Sequence, residues 1–220
     1  MQIHIDYCPR EDCIQMKKDF FYGMCRKCNE CGRFDTEVEV EMKNKKPIII
    51  NIAGKARHGK DTLAKYLMDY LYEKHNRKVQ IISFGEGVKV KAKEVGWDGK
   101  KDQNGRALLQ FIGTEWGREC ISKEIWIKIA EQKINKQTDI IIFPDTRFKN
   151  EISYFKKYNC HFVTVRVERT DDNGMADNLK QHKSEMSLDN YDFDWHVCVK
   201  NQVEIKKSAE HIAEEVIRNV

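Results

Sequence analysis

The chain has 220 residues, of which 34% are charged and 40% are hydrophobic, and its formal net charge is +4 at pH 7. This length and composition are typical of a globular protein with one core of ordinary size and a small additional segment. No apolar run approaches the length of a membrane span and no secretory signal is recognisable, so we expect a cytoplasmic protein without membrane partners.

Five of the eight cysteines lie close together near the N-terminus, at Cys8, Cys13, Cys25, Cys28 and Cys31. In a reducing compartment, such a cluster is more often bound to a metal than joined by disulfides. Two short loops that each donate two thiolates can form a tetrahedral zinc site. We therefore predict that Cys8, Cys13, Cys28 and Cys31 bind a structural Zn²⁺ ion.

Several features of this cysteine-rich segment stay open. Cys25 is an alternative ligand and His4 a weaker one, an iron–sulfur cluster fits the spacing less well, and reduced cysteines without metal are the simplest alternative. A segment this short cannot build its own core, so metal binding would supply its folding energy. We divide the chain into a zinc-ribbon-like segment at 1–45 and a second domain at 46–220. The other cysteines are predicted to be small core side chains: Cys120, Cys160 and Cys198.

From residue 48 onward, apolar runs alternate with helical patterns, which predicts a parallel sheet with helices on both faces. The predicted strands are 48–53, 79–84, 139–143, 161–167 and 195–199. The predicted helices are 62–74, 88–95, 107–120, 122–134, 148–158 and 208–220. A polar stretch at about 169–190 is too long for an ordinary connection and is predicted to be a lid.

The most informative stretch is 48–63, which reads IIINIAGKARHGKDTL. A buried strand, a G-x-x-x-x-G-K loop and a helix in this order are what a phosphate-binding P-loop requires. The N–H groups of the loop and of the helix N-terminus favour an anion, and Lys60 would reach the β and γ phosphates of a nucleotide. The residues predicted to bind the nucleotide are Gly54, Lys55, Ala56, Arg57, His58, Gly59, Lys60, Asp61 and Thr62.

Three side chains are candidates for holding Mg²⁺. Asp61 stands where a Ser or Thr hydroxyl commonly binds the metal, and Thr62 follows it; the sequence does not decide between them. Asp145 follows the apolar run 139–143, and at the carboxyl edge of a parallel sheet it would lie beside the P-loop. If the acceptor carried a hydroxyl group, Asp61 would be the candidate general base.

Arginines recur at element ends that are predicted to face the same edge of the sheet. They are Arg57, Arg106, Arg118, Arg147 and Arg169. A guanidinium group binds phosphate with two parallel hydrogen bonds, so this set predicts an enzyme with two anionic substrates rather than a simple ATPase. A phosphate acceptor is already anionic and needs no base, so catalysis would consist of positioning and charge neutralisation.

Five motifs occur in an order that resembles the bacteriophage-type deoxynucleoside monophosphate kinases, of the P-loop nucleoside monophosphate kinase superfamily. They are GKARHGKDT at 54–62, R-x-L-L-Q-x-x-G-T-E at 106–115, D-x-R-F-x-N-E at 145–151, H-x-S-E at 182–185 and the asparagine that follows the last strand, Asn201. The resemblance covers about 48–220, and five ordered motifs are more specific than a P-loop alone.

This resemblance implies an α/β P-loop NTPase fold, in which helices flank a five-stranded parallel sheet and a mobile lid covers the site. It implies Mg²⁺-dependent transfer of the ATP γ-phosphoryl group to a deoxynucleoside monophosphate. On this basis Lys60 and Arg169 bind the donor phosphates, and Arg106 and Arg147 hold the acceptor. The residues assigned to catalysis are Lys60, Asp61, Asp145, Arg147 and Arg169. The other candidates for substrate binding are Lys89, Gln110, Arg118 and Glu185.

Two features depart from the family pattern. The cysteine-rich segment is not part of it, and 83–89 reads SFGEGVK where a proline-leucine-lysine turn is expected, so that only Lys89 matches. Related kinases act on dephospho-coenzyme A or phosphomevalonate, which are alternative acceptors. A nucleic-acid-binding P-loop ATPase is the alternative from another class, although the chain lacks a basic, aromatic face. In a third interpretation the zinc ribbon mediates self-association, for example in a homodimer.

Overall fold

The computed structural model describes residues 46–158, 160–169 and 181–219. The predicted zinc site lies outside the described residues, as does 170–180 of the predicted lid. The strands are β1 Ile48–Ala53, β2 Val79–Ile81, β3 Ile140–Thr146, β4 His161–Arg169 and β5 Trp195–Val199. They form one parallel sheet in the order β2-β3-β1-β4-β5, which confirms the predicted five-stranded parallel sheet.

Helices connect the strands and cover both faces of the sheet. They are α1 Lys60–His75, α2 Gly85–Glu94, α3 Gln103–Phe111, α4 Ile125–Glu131, α5 Lys149–Tyr154, α6 Lys183–Met186 and α7 Gln202–Arg218. A π-helix, Ile112–Ile121, continues α3, and a single 3₁₀ turn, Phe155–Lys157, follows α5. Crossover helices of this kind are what parallel strands require.

The predicted α-helix at 107–120 is wrong in type, because its second half is the π-helix. Trp126 supplies the physical reason: its indole Nε1 donates to the carbonyl oxygen of Gly113 at 2.8 Å, and that carbonyl would otherwise serve the helix ladder. The last helix begins at Gln202 rather than at 208, since the Asn201 side chain accepts the N–H of Glu204 at 3.0 Å and caps it. Strand β2 is shorter than predicted and ends at Ile81.

The central strand β1 has all six residues buried, as expected for a parallel sheet that is covered on both faces. Ile48, Ile50 and Ile52 share one core with α1 and α7. On the opposite face, Ile49 shares a second core with Phe143 of β3 and with aromatic residues outside the sheet, including Trp126 of α4 and Phe155. These two cores hold α1 and α2 at the carboxyl edge of the sheet, where the predicted site residues lie.

Two of the three cysteines predicted to lie in the core do not. Cys120 and Cys198 are exposed, on the π-helix and on the edge strand β5, whereas Cys160 is half-buried. The apolar residues around each cysteine in the sequence did not reveal which face of the helix or strand the thiol occupies.

Within the described ranges, none of the helices combines the length and the apolarity that crossing a bilayer requires.

Candidate active site

The loop between β1 and α1 has the close backbone approach that a P-loop needs. Gly54 has a φ of +146°, and a Cβ atom at this position would lie 2.3 Å from the carbonyl oxygen of Val167 on β4. Any other residue would therefore clash with the sheet. Helix α1 begins directly at Lys60, and among the described residues no side chain caps its N-terminus. Its first N–H groups are thus available to an anion.

The Lys60 side chain is buried and lies against its own loop. Its Nζ donates to the carbonyl oxygen of Lys55 at 2.7 Å, and 8% of the residue is exposed. Burial, followed by the nearby charge of Arg147, lowers the pKa of Lys60 to about 7, although Glu185, Asp61 and Asp145 oppose the shift. A bound phosphate would stabilise the charged form of this ammonium group.

A cavity of ≈ 490 Å³ opens beside Lys60. The P-loop and the start of α1 form one wall through Arg57, Lys60, Asp61 and Thr62. The opposite wall consists of Arg169 at the end of β4 and of the junction between β5 and α7, including Asn201. The structure therefore brings the predicted donor-side residues together around one space, with cations on two sides of it.

His58 links the P-loop to the end of β4. Its ring is buried, and Nδ1 accepts the backbone N–H of Arg169 at 3.3 Å. Burial and then the charge of Lys60 lower the pKa of His58, which favours the neutral ring that this acceptor role needs. The sequence predicted that His58 belongs to the nucleotide-binding loop, but it did not predict this hydrogen bond. The bond holds the backbone of Arg169, whose side chain lines the cavity.

Asp145 caps the N-terminus of α2. One carboxylate oxygen accepts from the Ser83 hydroxyl at 2.6 Å and from the Gly85 N–H at 2.7 Å, and the other accepts from the Phe84 N–H at 3.0 Å. A Cβ atom at Gly85 would lie 2.9 Å from the carboxylate, which explains the unexpected glycine in this turn. Asp145 thus has three protein donors, and its binding to Mg²⁺ stays a prediction.

Arg118 is held by several protein groups, and its predicted contact with the substrate stays a prediction. It is buried, forms an ion pair with Glu151, donates to the carbonyl oxygen of Lys123 at 3.0 Å and lies 4.3 Å from the centre of the Phe148 ring. Glu151 in turn accepts the backbone N–H groups of Arg147 and Phe148 at 2.6 and 2.9 Å. The pair therefore joins the π-helix to the turn that carries Arg147.

Glu185 joins two other predicted site elements. Its Oε2 accepts the N–H of Ala56 in the P-loop at 3.1 Å, and its Oε1 lies 2.7 Å from Nη1 of Arg147. The residue is buried. Glu185 thus connects the P-loop to Arg147, and its predicted role in substrate binding stays a prediction.

The remaining acceptor-side candidates form a group of cations near Asp61 and Asp145. Loss of solvent, followed by the charge of Lys89, lowers the pKa of Lys101, and Arg106 adds to the shift. Burial and the charge of Arg57 likewise lower the pKa of Arg106. Gln110 lies half-buried on the same helix as Arg106. The sequence analysis did not single out Lys101 as a candidate. The signal available was its position directly before Asp102, the N-cap residue of α3.

A second contact that the sequence did not predict joins two of the motifs. His182 accepts the Ser184 N–H through Nδ1, so its Nε2 carries the proton and donates to Oε1 of Glu115 at 3.0 Å. The contact connects the π-helix to the C-terminal part of the predicted lid, directly before α6. For metal binding, the described part of the chain contains no group of three or more His, Cys, Asp or Glu side chains that could hold an ion.

Comparison with known proteins adds a family match. Residues 71–212 match the model of a family described as deoxynucleotide monophosphate kinase. The deoxynucleoside-5'-monophosphate kinase of Escherichia phage T5 is 40% identical over 55 residues, which are 24% of this chain and 22% of that protein. The chain thus matches less than a quarter of the length of that curated relative.

Solved kinase structures share low sequence identity with the chain. The APS kinase of Mycobacterium tuberculosis, solved with AMPPNP and APS, is 9% identical, with 79% of this chain and 99% of that chain covered and a TM-score of 0.42. A gluconokinase from Sinorhizobium meliloti is 10% identical, with coverage of 80% and 96% and a TM-score of 0.41.

Proposed function

The chain belongs to the deoxynucleotide monophosphate kinase family, and on that premise we propose that it transfers the γ-phosphoryl group of ATP to a deoxynucleoside 5'-monophosphate. One bond forms between the γ phosphorus and a phosphate oxygen of the acceptor, and the bond to the β-phosphate oxygen breaks, giving two diphosphates. Because the attacking oxygen is already anionic, no base has to remove a proton. The protein's contribution is then positioning and charge neutralisation.

One observation carries the proposal: Glu185 contacts both the P-loop and Arg147. Arg147 therefore lies next to the donor loop, as an acceptor-binding arginine must. Lys60 and Arg169 would bind the donor phosphates from the cavity, and Arg106, with Lys89 and Lys101 nearby, would attract the acceptor. Cations on both sides of one P-loop suit two phosphorylated substrates.

Magnesium fits the oxygen ligands beside Lys60. Asp61 is exposed and Thr62 half-buried at the wall of the cavity, and a carboxylate and a hydroxyl are ligands that this hard cation accepts. When bound there, Mg²⁺ neutralises charge on the β and γ phosphates. Asp145 is a weaker candidate, since three protein donors already surround its carboxylate.

The cysteine-rich segment supports a separate proposal from its spacing alone. Cys8, Cys13, Cys28 and Cys31 would bind Zn²⁺, with Cys25 as the alternative ligand. The ion would stabilise the 1–45 segment and take no part in transfer. The mild net charge of +4 argues against nucleic acid as the main partner, and a cytoplasmic location stays a prediction.

The test is an ADP-release assay with ATP and Mg²⁺ against each of the four deoxynucleoside monophosphates. Dephospho-coenzyme A, phosphomevalonate and DNA are run in parallel. We expect turnover with one or more monophosphates, which would also identify the base preference. ADP release that is stimulated only by DNA, or transfer only to another acceptor, would contradict the proposal.

The variant Lys60→Met tests whether the P-loop lysine takes part in the transfer. We expect at least a 10²-fold loss of turnover, because the variant lacks an ammonium that neutralises charge developing in the transition state. Lys65→Met is the matched variant: it removes an exposed lysine from the same helix and should leave turnover unchanged. Normal kinetics in Lys60→Met would disprove the P-loop assignment.

A further inference from the structure

The carboxylate of Glu185 lies between two elements that the proposed reaction needs to align. One oxygen accepts the Ala56 N–H of the P-loop at 3.1 Å, and the other lies 2.7 Å from the Arg147 guanidinium. Both contacts are short enough to be hydrogen bonds, and the one with Arg147 is also an ion pair. Each carboxylate oxygen thus serves a different element.

The segment that carries Glu185 is itself held in place. His182 accepts the N–H of Ser184 at 3.2 Å, and its carbonyl oxygen accepts the N–H of Glu185 at 2.8 Å. The same histidine contacts Glu115 on the π-helix at 3.0 Å. These contacts hold the start of helix α6 in place. The buried Glu185 side chain therefore projects from a segment whose position is fixed.

Arg147 is also fixed from two directions. Its backbone N–H donates to Glu151 at 2.6 Å, and its Nη1 donates to the carbonyl oxygen of Ser184 at 3.4 Å in addition to the Glu185 contact. A guanidinium group has five N–H donors in a fixed fork, so contacts through Nη1 leave donors with which the same side chain can bind a phosphate.

We propose that Glu185 is a positioning residue that sets the distance between the donor loop and the acceptor-binding arginine. The inference rests on the proposed kinase function and deepens it. Phosphoryl transfer depends on in-line placement of the attacking oxygen and the γ-phosphoryl group, and small misplacements are costly. One buried carboxylate contacts both Ala56 and Arg147, so it couples the positions of the P-loop and of Arg147. If each group contacted solvent instead, the two positions would not be coupled in this way.

A competing interpretation makes the opposite prediction. Glu185 could occupy the phosphate site as an anion that nucleotide must displace, in which case its removal would strengthen nucleotide binding. Positioning predicts instead that each substrate binds alone almost as before, whereas the transfer step slows. The two interpretations therefore differ in nucleotide affinity, which rises only if Glu185 competes with the phosphate, and in the transfer rate, which the positioning role predicts to fall.

The experiment uses Glu185→Gln, which keeps the size of the side chain but replaces one acceptor oxygen by a donor group. We expect kcat to fall by about 10²-fold, the cost of roughly 1 Å of misplacement, while KM for each substrate changes little. Binding of AMPPNP alone and of the deoxynucleoside monophosphate alone, measured by calorimetry, should stay close to wild type. Thermal melting without ligands checks that the variant is folded.

Lys183→Met is the matched control. It removes an exposed lysine from the helix that carries Glu185 and breaks the 2.6 Å ion pair of Lys183 with Glu119 of the π-helix. Its kcat should equal that of wild type. Wild-type kcat in Glu185→Gln, or higher kcat with tighter AMPPNP binding, would overturn the positioning role. A wild-type protein that phosphorylates no monophosphate would instead refute the proposed function, so the two failures are distinguishable.

Discussion

Lys60 is a cation whose charge depends on what occupies the loop. In the free protein, burial and the neighbouring Arg147 lower its pKa to about 7, well below the usual 10.5. The unfolded chain then binds more protons than the folded protein between these two values, so this lysine makes stability rise with pH in that window. Nucleotide phosphate has the opposite effect on the ammonium, because a nearby anion raises its pKa.

Because nucleotide phosphate raises the pKa of Lys60, we predict that the protein takes up protons when nucleotide binds. At pH 8, calorimetric titration with AMPPNP in buffers of different ionisation enthalpy should show uptake of a fraction of a proton by the wild type. The affinity should fall as the pH rises above about 7, because charging Lys60 then costs free energy. Lys60→Met should lack the uptake; the same uptake in that variant would assign it to another group.

At the scale of elements, the ion pair between Arg118 and Glu151 attaches the π-helix to the turn before α5. Both side chains are buried, and burial raises the pKa of Glu151 against the opposing effect of Arg118. Glu151 also accepts the N–H groups of Arg147 and Phe148, which completes the start of α5. The π-helix therefore supports the turn that carries Arg147.

Glu151→Ala is predicted to lower the free energy of unfolding by about 3–5 kcal/mol, because it leaves the Arg118 charge buried without its partner. Chemical denaturation of the unliganded protein measures the loss. Glu119→Ala is the control, since its ion pair with Lys183 is exposed and contributes little to stability. Equal losses in the two variants would contradict the structural role of the buried pair.

At the scale of the whole molecule, two parts of the chain are predicted to have separate sources of stability. The 46–220 domain has two cores on the faces of its sheet. The 1–45 segment is too short to build a core of its own, so we assign its folding energy to Zn²⁺. Removal of the metal should then leave nucleotide binding by the larger domain intact.

Elemental analysis tests whether the 1–45 segment binds Zn²⁺ independently of the 46–220 domain. The purified wild type is expected to contain Zn²⁺, and Cys28→Ser combined with Cys31→Ser should lose it while AMPPNP still raises the melting temperature. Cys120→Ser combined with Cys198→Ser is the matched control, since these two exposed cysteines lie elsewhere, and it should retain the metal. A metal-free wild type would refute the zinc proposal.

The sequence by itself determined the features that depend on local pattern. The run 48–53 predicted the buried central strand, G-x-x-x-x-G-K predicted the loop and the start of α1, and alternating elements predicted the five-stranded parallel sheet. An apolar run and a glycine-rich loop are patterns of residues that are close in the chain, so they can be recognised without tertiary contacts.

Only the tertiary structure decided what the polar side chains do. Arg118 and Arg147 are both arginines in ordered motifs, yet the first pairs with Glu151 and the second with Glu185. Asp145 follows an apolar run, as a metal ligand could, and it caps α2. A side chain's role depends on partners that are distant in sequence, because burial and charge pairing are properties of the folded surroundings. Local pattern cannot encode those surroundings.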